Sequence, residues 1–410
     1  MYRRDFPHHP GMHNMDLGGD SHTRVSYRNN PNFCERIGRS LVAILVGIAV
    51  IIVAVCLLWW NEGRAVTTAR SLEEGLDRVV SLGTIHVAFD QNNGKLVHLT
   101  GPLKTGKVLS DSAYGVSVRA VKLKRHVEMY QWVEHEHRRE VNEGDKTREE
   151  VTYSYSKEWK SEVIQSSSFD NPTRHHNPNS MAVKPNVFIA EDAQVGNFYL
   201  SENLKSKITN YKQLKPQHPP PDGSVKLVDG VFYHAHDPFN PQIGDIKVTF
   251  EYAGVSSGDS ARAPDMVSIV ARQQGSQLTK YQTEAGDVLE ILYLGELTAE
   301  EIFEKEHAQN NIFTWLLRLA GWFVMFVGFG LSTSIINTLV DWIPIVRELV
   351  GLGMCTLNMT MSMSLSITVI ALGWIRYRPW FGFSILACAM IPVLLSKYRV
   401  SSLNSRDRRL

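Results

Sequence analysis

The segment GVSSG at residues 254–258 is a first place where this sequence could do covalent chemistry. It fits the G-x-S-x-G pattern, in which a serine nucleophile sits on a sharp turn between a strand and a helix. The preceding IKVTFEYA is typical of a strand, but the following SSGDSARAPD has the composition of a loop. The helix that this chemistry needs is therefore missing, and the pattern gives Ser256 little support as a nucleophile.

Histidines close together in the sequence could instead bind a metal ion. The pairs are His135/His137, His175/His176 and His234/His236. Residues two apart on a strand share a face, which would let two imidazoles reach one ion. However, the first pair lies in HEHRRE, which is not the H-E-x-x-H motif, and no C-x-x-C motif occurs. A solvated strand explains these residues better, so we predict no metal site, no cofactor and no enzyme activity.

An unusual polar pattern lies in a long apolar run near the C-terminus. Small hydroxyl or amide residues occupy every second position from 356 to 368. On a helix, at about 100° per residue, they separate into two stripes on opposite faces. We call Asn358, Ser362 and Ser366 the inner stripe, and Thr356, Thr360, Ser364 and Thr368 the outer stripe.

These stripes have two interpretations. Small polar residues let membrane helices approach closely and bond to one another. Alternatively, each hydroxyl can bond to the carbonyl four residues earlier in its own helix. For Asn358 the contact with another helix is favoured, because its own helix cannot satisfy every donor and acceptor of the amide. We predict that all seven residues are candidates for helix–helix contact, and a pore-lining role remains an alternative.

Four apolar runs must position these side chains. They cover residues 40–60, 319–340, 352–375 and 380–396. A bilayer core of about 30 Å needs about 20 helical residues, which the first three runs supply. The fourth run is shorter and contains Pro392. We predict four transmembrane helices, one N-terminal and three C-terminal.

The first run could be a signal peptide, a buried core helix or a membrane anchor. Thirty-nine residues precede it, and it is longer than the apolar stretch of a signal peptide. It ends at Trp59 and Trp60, which suit a membrane interface. An uncleaved anchor is therefore predicted.

Arginine and lysine residues predict the orientation of these helices. Residues 1–39 and 397–410 are rich in arginine, whereas few basic residues follow Trp60 directly. The positive-inside rule then places both ends in the cytosol or nucleoplasm, with 1–39 as a disordered tail and 397–410 as a basic tail. Residues 61–311 lie in a lumen in this topology. Arg376 and Arg378 oppose it, because they fall in a short turn on the lumenal side.

The predicted lumenal segment has the pattern of a mainly β domain. RHVEMYQWVEHEH and VTYSYSKEWK flank the polar turn NEGD and predict a hairpin. Further strands are predicted at 95–99, 230–234, 246–252, 266–272 and 288–292, and the antiparallel strands would form a barrel or sandwich. Thr298 and Glu301 fit a capping box that starts a helix into the second apolar run. The predicted fold class is an α+β membrane protein.

The total charge excludes one class of partner. The formal net charge is +1, so bulk charge gives no case for a nucleic-acid binder. Hydrophobic residues make up 43% of the chain and charged residues 21%. Because the charged fraction is near that of a soluble protein, polar and apolar segments must be segregated along the chain, and the lipid bilayer is the first predicted partner.

Several segments resemble the transmembrane protein 43 family, also called LUMA. They are NEGRA (61–65), RHVEMYQWVE (125–134), YSYSKEWKSEVI (153–164), NPNSMAV (177–183), YAG (252–254), LVDW (339–342) and ALGW with YRP (371–379). The resemblance covers about residues 41–400 and excludes the N-terminal tail. The aromatic-rich segment at 125–134 is the most specific of these motifs.

The resemblance implies a multi-pass protein of the inner nuclear membrane and endoplasmic reticulum. It also implies homo-oligomers, association with emerin, lamins and SUN-domain proteins, and no enzyme activity. The predicted function is a scaffold that organises nuclear-envelope complexes and maintains the nuclear envelope. The alternative is a regulator or subunit of an ion-conducting or junctional membrane complex that acts through the polar third span.

Overall fold

Three long helices and a strand-rich domain make up the described part of the protein. The structure, a computed structural model, describes residues 21–30, 32–144, 146–220, 223–257, 262–340, 344–377 and 384. The helices are α1 (Phe33–Arg78), α2 (Glu202–Ser206), α3 (Ala299–Val340) and α4 (Pro344–Tyr377). Three of them are long and apolar enough to cross a membrane, at Phe33–Arg78, Ala299–Val340 and Val350–Arg376. They contain the first three apolar runs, and the fourth, 380–396, lies outside the described residues apart from Ser384.

Helices α1 and α3 both continue beyond their apolar runs. The segment TTARSLEEGLDRVVSL, at residues 67–82, has apolar residues at helical spacing, which predicts a short helix leaving the first span. In the structure α1 is continuous from that span through residues 61–78. No proline interrupts this stretch, so the hydrogen-bonded ladder persists. The α3 helix begins with the predicted capping box: Glu301 N donates to Thr298 Oγ1 (3.2 Å), and Thr298 N donates to Glu301 Oε2 (2.9 Å). We call residues 61–78 and 299–318 the stalk.

The long helices pack closely because glycines lie at their contacts, where a Cβ would not fit. A Cβ at Gly47 would lie 2.4 Å from Ser332 Oγ and 2.6 Å from Gly328 O. At the other end of the pair, Gly321 faces Leu58 in the same way. From one contact to the next the residue numbers rise in α1 and fall in α3, so the two helices are antiparallel. Helix α4 returns along α3, which places its C-terminal end beside the stalk.

The strand-rich domain extends from residue 80 to residue 294. Within the predicted lumenal segment 61–311, the first 18 and the last 13 residues belong to helices α1 and α3, and the strands lie between them. The strands among the described residues are β1 (Ser21–Asn29), β2 (Val80–Ser81), β3 (Leu96–Lys104), β4 (Leu109–Asp111), β5 (Val116–Val118), β6 (Ala120–Glu143), β7 (Lys146–Lys160), β8 (Asn186–Ile189), β9 (Gln194–Val195), β10 (Phe198–Tyr199), β11 (Lys212–Leu214), β12 (Lys226–Val228), β13 (Val231–His234), β14 (Ile246–Val255), β15 (Met266–Gln274), β16 (Gln277–Thr279), β17 (Tyr281–Gln282), β18 (Val288–Leu289) and β19 (Ile291–Leu294).

Two large sheets build the domain, and among the described residues β4–β5 and β17–β18 form two further sheets of two strands each. The first has the order β1-β7-β6-β14-β13-β12, with β11 on β14 and β8 on β6. In the second, β15, β16, β10, β9 and β3 pair in a closed circuit, with β19 and β2 attached outside it. Buried residues of both sheets share one core, among them Leu99 of β3, Val121 of β6 and Ile269 of β15. The prediction of a mainly β domain is confirmed, and its second sheet closes like a small barrel.

The predicted hairpin is β6–β7, and it is long. Near the domain Val127, Met129 and Gln131 are buried, as the alternating pattern predicts. Beyond residue 134 the side chains of β6 become exposed or half-buried, whereas Val151 of β7 stays buried. The turn uses Gly144 with φ +73°, a conformation that glycine adopts without strain.

The N-terminal segment contains a strand that the sequence analysis missed. Residues 1–39 are predicted to be disordered, but β1 pairs antiparallel with β7 from Ser21↔Ser154 to Asn29↔Lys146. Helix α1 then begins at Phe33, inside the predicted tail. The prediction of disorder is therefore wrong for 33–39, and for 21–29 wherever β1 lies on β7. The reason is that β1 is ordered by the edge of β7, which lies more than 100 residues away in the sequence.

Candidate functional site: a polar cluster where three helices meet

Glu62 is a buried carboxylate at the junction of α1, α3 and α4. It accepts hydrogen bonds from Arg318 Nε at 2.7 Å and Arg318 Nη2 at 2.8 Å, and Trp374 Nε1 also donates to it. The side chain of Glu62 is 1% exposed and that of Arg318 is 13% exposed. A two-bond arginine–carboxylate pair is among the strongest polar contacts in proteins, and here it joins three helices.

The ends of the first two apolar runs bring these residues to one depth in the bundle. Glu62 follows the first apolar run by two residues, and Arg318 directly precedes the second run. Because α1 and α3 are antiparallel, the two charges meet at the same end of the bundle. The Arg318 guanidinium lies 4.9 Å from the Trp315 ring centroid and 5.4 Å from that of Trp374. Gly373 lets α4 approach, since a Cβ there would lie 3.0 Å from Glu62 Cβ.

A second layer of polar contacts lies one turn further along the stalk. Arg64 donates to Asn310 Oδ1 (3.0 Å) and Thr314 Oγ1 (2.9 Å). Asn61 Nδ2 donates to the Thr314 carbonyl (3.2 Å), and Asn310 Nδ2 to the Ala65 carbonyl (3.0 Å). We use the name boundary cluster for Asn61, Arg64, Asn310 and Thr314 together with Glu62, Arg318 and Trp374. It fixes the register of α1 against α3, because each bond has a defined partner on the other helix.

The stalk is also fixed to the domain. Thr68 Oγ1 donates to Asp287 Oδ2 (2.6 Å), and the Glu74 carboxylate accepts from the backbone N–H of Glu284 (2.9 Å). Leu72 and Phe303 of the stalk are buried in one cluster with Leu289 of the domain. Apolar burial and directed hydrogen bonds therefore act together, and the domain cannot rotate freely on the helices.

His98 connects strand β3 to the linker before α3. Its Nε2 lies 2.9 Å from the Leu297 carbonyl, so Nε2 carries the donated proton. Ser81 Oγ lies 3.3 Å from Nδ1, the other ring nitrogen. Burial lowers the pKa of His98 below its ordinary value, because the charged ring is less well solvated. The neutral ring is thus part of the joint between domain and stalk.

The inner stripe faces α3. Asn358 Nδ2 donates to Thr333 Oγ1 at 2.8 Å, and Thr333 Oγ1 donates to the Phe329 carbonyl at 2.9 Å. Ser366 Oγ lies 3.5 Å from the sulfur of Met325, and Ser362 is fully buried. The structure thus brings Asn358, Ser362 and Ser366 together inside the bundle, as a contact between α4 and α3.

The outer stripe faces away from α3 and is exposed. Thr356, Thr360 and Thr368 donate to the carbonyls of Leu352, Thr356 and Ser364, at 3.0, 2.8 and 2.8 Å. Ser362 Oγ on the inner stripe also donates to a carbonyl of its own helix, that of Met359 (2.9 Å). Bonds within the helix therefore occur on both faces of α4, whereas the contacts with α3 lie on the inner stripe. Contact through Ser364 or its stripe neighbours with a second copy of the chain stays a prediction.

The other sequence candidates do not come together. Ser256 is fully buried, where its Oγ accepts from Thr105 N (2.7 Å) and donates to the Ser257 carbonyl (3.1 Å). His135 bonds to Ser156 and Glu158 on the exposed hairpin, and His234 bonds to Tyr114. Within the described ranges, no three His, Cys, Asp or Glu residues are placed to hold a metal ion.

Sequence reasoning missed the boundary cluster, although a signal was present. Two opposite charges, Glu62 and Arg318, flank the first and second apolar runs at the ends that one continuous segment joins, which places both on the same side of the membrane. Charges at this depth are expensive unless they are paired, so each predicts a partner. Single charges at the ends of apolar runs, rather than any short motif, could have identified the pair.

Comparison with known proteins agrees with this architecture. A family model described as transmembrane protein 43 matches residues 129–379. Human and mouse transmembrane protein 43 are each 42% identical over 381 residues, which is 92% of this chain and 95% of each relative. The Drosophila melanogaster homolog is 32% identical over 353 residues, 85% of this chain and 92% of the relative. No solved structure matches. With its membrane-length helices and mainly β domain, the chain belongs to the transmembrane protein 43 family.

Proposed function

We propose that this protein is a non-enzymatic membrane scaffold that organises protein complexes at the inner nuclear membrane and in the endoplasmic reticulum. The observation that carries the proposal is the stalk. It continues two membrane-length helices without a break into the domain core, through Leu72, Phe303 and Leu289. A fixed joint of this kind suits a protein that holds partners in position, because a partner bound to the domain is also held relative to the bilayer.

The proposed scaffold has its domain in the lumen and both ends in the cytosol or nucleoplasm. The basic ends support this orientation under the positive-inside rule. Partners bound on the two sides would then differ. Emerin, lamins, SUN-domain proteins and further copies of this chain are the proposed partners, and the family resemblance supports them.

The alternative function, in an ion-conducting or junctional complex, has weaker support. Its motivation is the polar third span, whose inner stripe packs against Met325 and Thr333. Such packing favours a closed contact between helices over a water-lined path.

Proximity labelling from two positions tests the scaffold proposal. A labelling enzyme is inserted after His218, in the proline-rich loop of the domain, or fused to the C-terminus. The proposal predicts two different sets of nuclear-envelope proteins, one for each side. Identical sets, or sets without nuclear-envelope proteins, would contradict it. A tag after His218 that stays protected when only the plasma membrane is permeabilised would support the lumenal orientation.

A further inference from the structure

The pairing of β1 with β7 has a topological consequence. Asn30 donates to the Gly144 carbonyl (2.6 Å) and to Asn142 Oδ1 (3.2 Å), so it lies at the tip of the β6–β7 hairpin. Nine residues, mostly helical, separate Asn30 from the start of the first apolar run at Ser40. They can extend at most about 20 Å. The hydrocarbon core is about 30 Å thick, so this tip cannot lie on the domain's side of a bilayer that α1 crosses.

The hairpin cannot lie within the bilayer either. Its outer part, EHEHRRE at residues 134–140, is dominated by charged side chains. Each unpaired charge costs several kcal/mol in hydrocarbon, and the strand edges would leave backbone groups unsatisfied there. The β1–β7 pairing and the crossing of a bilayer by α1 therefore exclude each other. In the membrane-inserted chain, β1 lies on one side and the hairpin on the other.

Separation from β1 leaves the outer edge of β7 open. The edge is nine residues long, from Lys146 to Ser154, and neither proline nor glycine interrupts it. A continuous edge of this kind presents a row of backbone N–H and C=O groups that another strand can satisfy. In the structure β1 pairs with this edge in a defined register, so the edge has the geometry to accept an extended segment.

The side chains around the edge define the chemistry of that segment. Asp170 accepts from His22 Nε2 at 2.6 Å and from Arg24 Nη1 at 3.2 Å. The His22 ring stacks on Tyr153, with ring centroids 5.3 Å apart. Glu150 lies opposite Val25 on the same edge. Beside this edge the Asp170 carboxylate and the Tyr153 ring lie close together, which is complementary to a segment with a ring and a cation two residues apart.

We propose that the outer edge of β7, together with Asp170, is a docking site for an extended segment of a partner protein on the domain's side of the membrane. The segment binds by strand addition and carries histidine or an aromatic residue two positions before arginine or lysine. A second copy in the same orientation cannot supply its own β1, because that strand lies across the bilayer. The inference deepens the proposed scaffold function and rests on it, since it names a surface through which a partner is held.

The first test uses the full-length protein in lipid nanodiscs and a labelled peptide, SHTRVSYRNN, which is residues 21–30. We expect saturable binding by fluorescence anisotropy. Asp170→Asn should weaken binding at least about five-fold, because it removes a charge-assisted contact. Alanine at the positions of His22 and Arg24 in the peptide should weaken it similarly. The matched control is Glu296→Gln, an exposed carboxylate elsewhere in the chain, which should change nothing.

No saturable binding, or binding that both Asp170→Asn and the alanine peptide leave unchanged, would overturn the proposal. That failure is distinct from failure of the scaffold function, because proximity labelling does not depend on this edge.

The second test asks whether β1 leaves β7 in a bilayer. Val25→Cys and Glu150→Cys lie opposite each other in the structure, and His137→Cys with Thr152→Cys form the control pair within the hairpin. Native cysteines are replaced by serine. After oxidation in nanodiscs, the control pair should cross-link and the Val25–Glu150 pair should not. A Val25–Glu150 cross-link within one chain, formed as readily as the control, would overturn the proposal.

Discussion

The boundary cluster and the inner stripe solve the same problem at different depths. Both bury polar groups in the helix bundle, the boundary cluster between α1, α3 and α4 and the inner stripe between α3 and α4. At the domain end, Glu62 and Arg318 carry full charges and satisfy each other with two bonds. Fifteen residues further along α3, or about 22 Å, Thr333 and Asn358 are neutral and share one bond.

The difference follows from the cost of charge in hydrocarbon. That cost falls near the membrane surface, where water and flexible side chains reach the charge, and is greatest in the interior. Strong charged contacts are therefore possible at the stalk, whereas amide and hydroxyl groups serve deeper in the bundle. We infer that the boundary cluster contributes most of the polar specificity of helix packing and that the inner stripe adds a smaller part.

Loss of Arg318 should have the largest effect. Arg318→Met leaves Glu62 as an uncompensated buried charge, which we expect to destabilise the bundle by about 3–5 kcal/mol. The measurement is unfolding in mixed micelles, followed by tryptophan fluorescence. Arg39→Met is the control, because Arg39 pairs with Glu35 (2.7 Å) in an exposed contact. Exposed pairs contribute less than about 1 kcal/mol, so equal effects of the two variants would refute the contrast.

Crowding the close contact between α1 and α3 should cause the second-largest loss of stability. A Cβ at Gly328 would lie 2.7 Å from Ile51 Cγ1 and 3.0 Å from the Gly47 carbonyl, whereas a Cβ at Gly330 meets nothing within 4 Å. We expect Gly328→Val to cost about 1–3 kcal/mol through overpacking, and Gly330→Val to cost far less. Both substitutions add the same side chain to α3. Similar stabilities in the unfolding assay would mean that the close approach does not contribute to helix packing.

Removal of the inner-stripe amide should have a smaller effect. Asn358→Leu loses the bond to Thr333, which we expect to lower stability by about 0.6–2 kcal/mol. Thr360→Val on the outer stripe should leave stability unchanged, because its hydroxyl bonds only to its own helix. Energy transfer between labelled copies in a bilayer then separates the two roles. If Asn358→Leu weakens self-association while leaving unfolding unaffected, the stripe contacts another copy and not α3.

The smallest effect concerns pH at the joint between domain and stalk. Because burial lowers the pKa of His98, the unfolded chain binds a proton at a higher pH than the folded chain does. The stability that the neutral ring contributes is therefore complete above about pH 6.5, the ordinary pKa of histidine. It is lost as the pH falls from that value through the lower pKa of the folded state. We expect a lower melting temperature at pH 5 than at pH 7, with a smaller difference in His98→Gln. An unchanged pH dependence in the variant would exclude His98 as the cause.

Local patterns made much of this fold predictable. The β6–β7 hairpin, the strands near 246 and 266, and the capping box at Thr298 and Glu301 all follow from alternation, turn residues or short-range bonding. The first three spans follow from length and hydropathy in the same way.

Long-range contacts explain what the sequence did not predict. Glu62 and Arg318 are 256 residues apart, so no sequence window contains the pair. The N-terminal strand looks unstructured because its order depends on the edge of β7. The continuous stalk was missed because the change from apolar to polar composition after Trp60 resembles the end of a helix, although the backbone continues to Arg78.

The central claim is that the Glu62–Arg318 pair, and not either residue alone, stabilises the packing of the helices at the boundary of the membrane. A double-mutant cycle with Glu62→Met, Arg318→Met and the double variant tests it most directly, with unfolding free energies measured in one lipid composition. We predict that the double variant is more stable than Arg318→Met alone, with a coupling energy of at least about 2 kcal/mol. Additive effects within about 0.5 kcal/mol would contradict the account, because independent residues would then contribute separately.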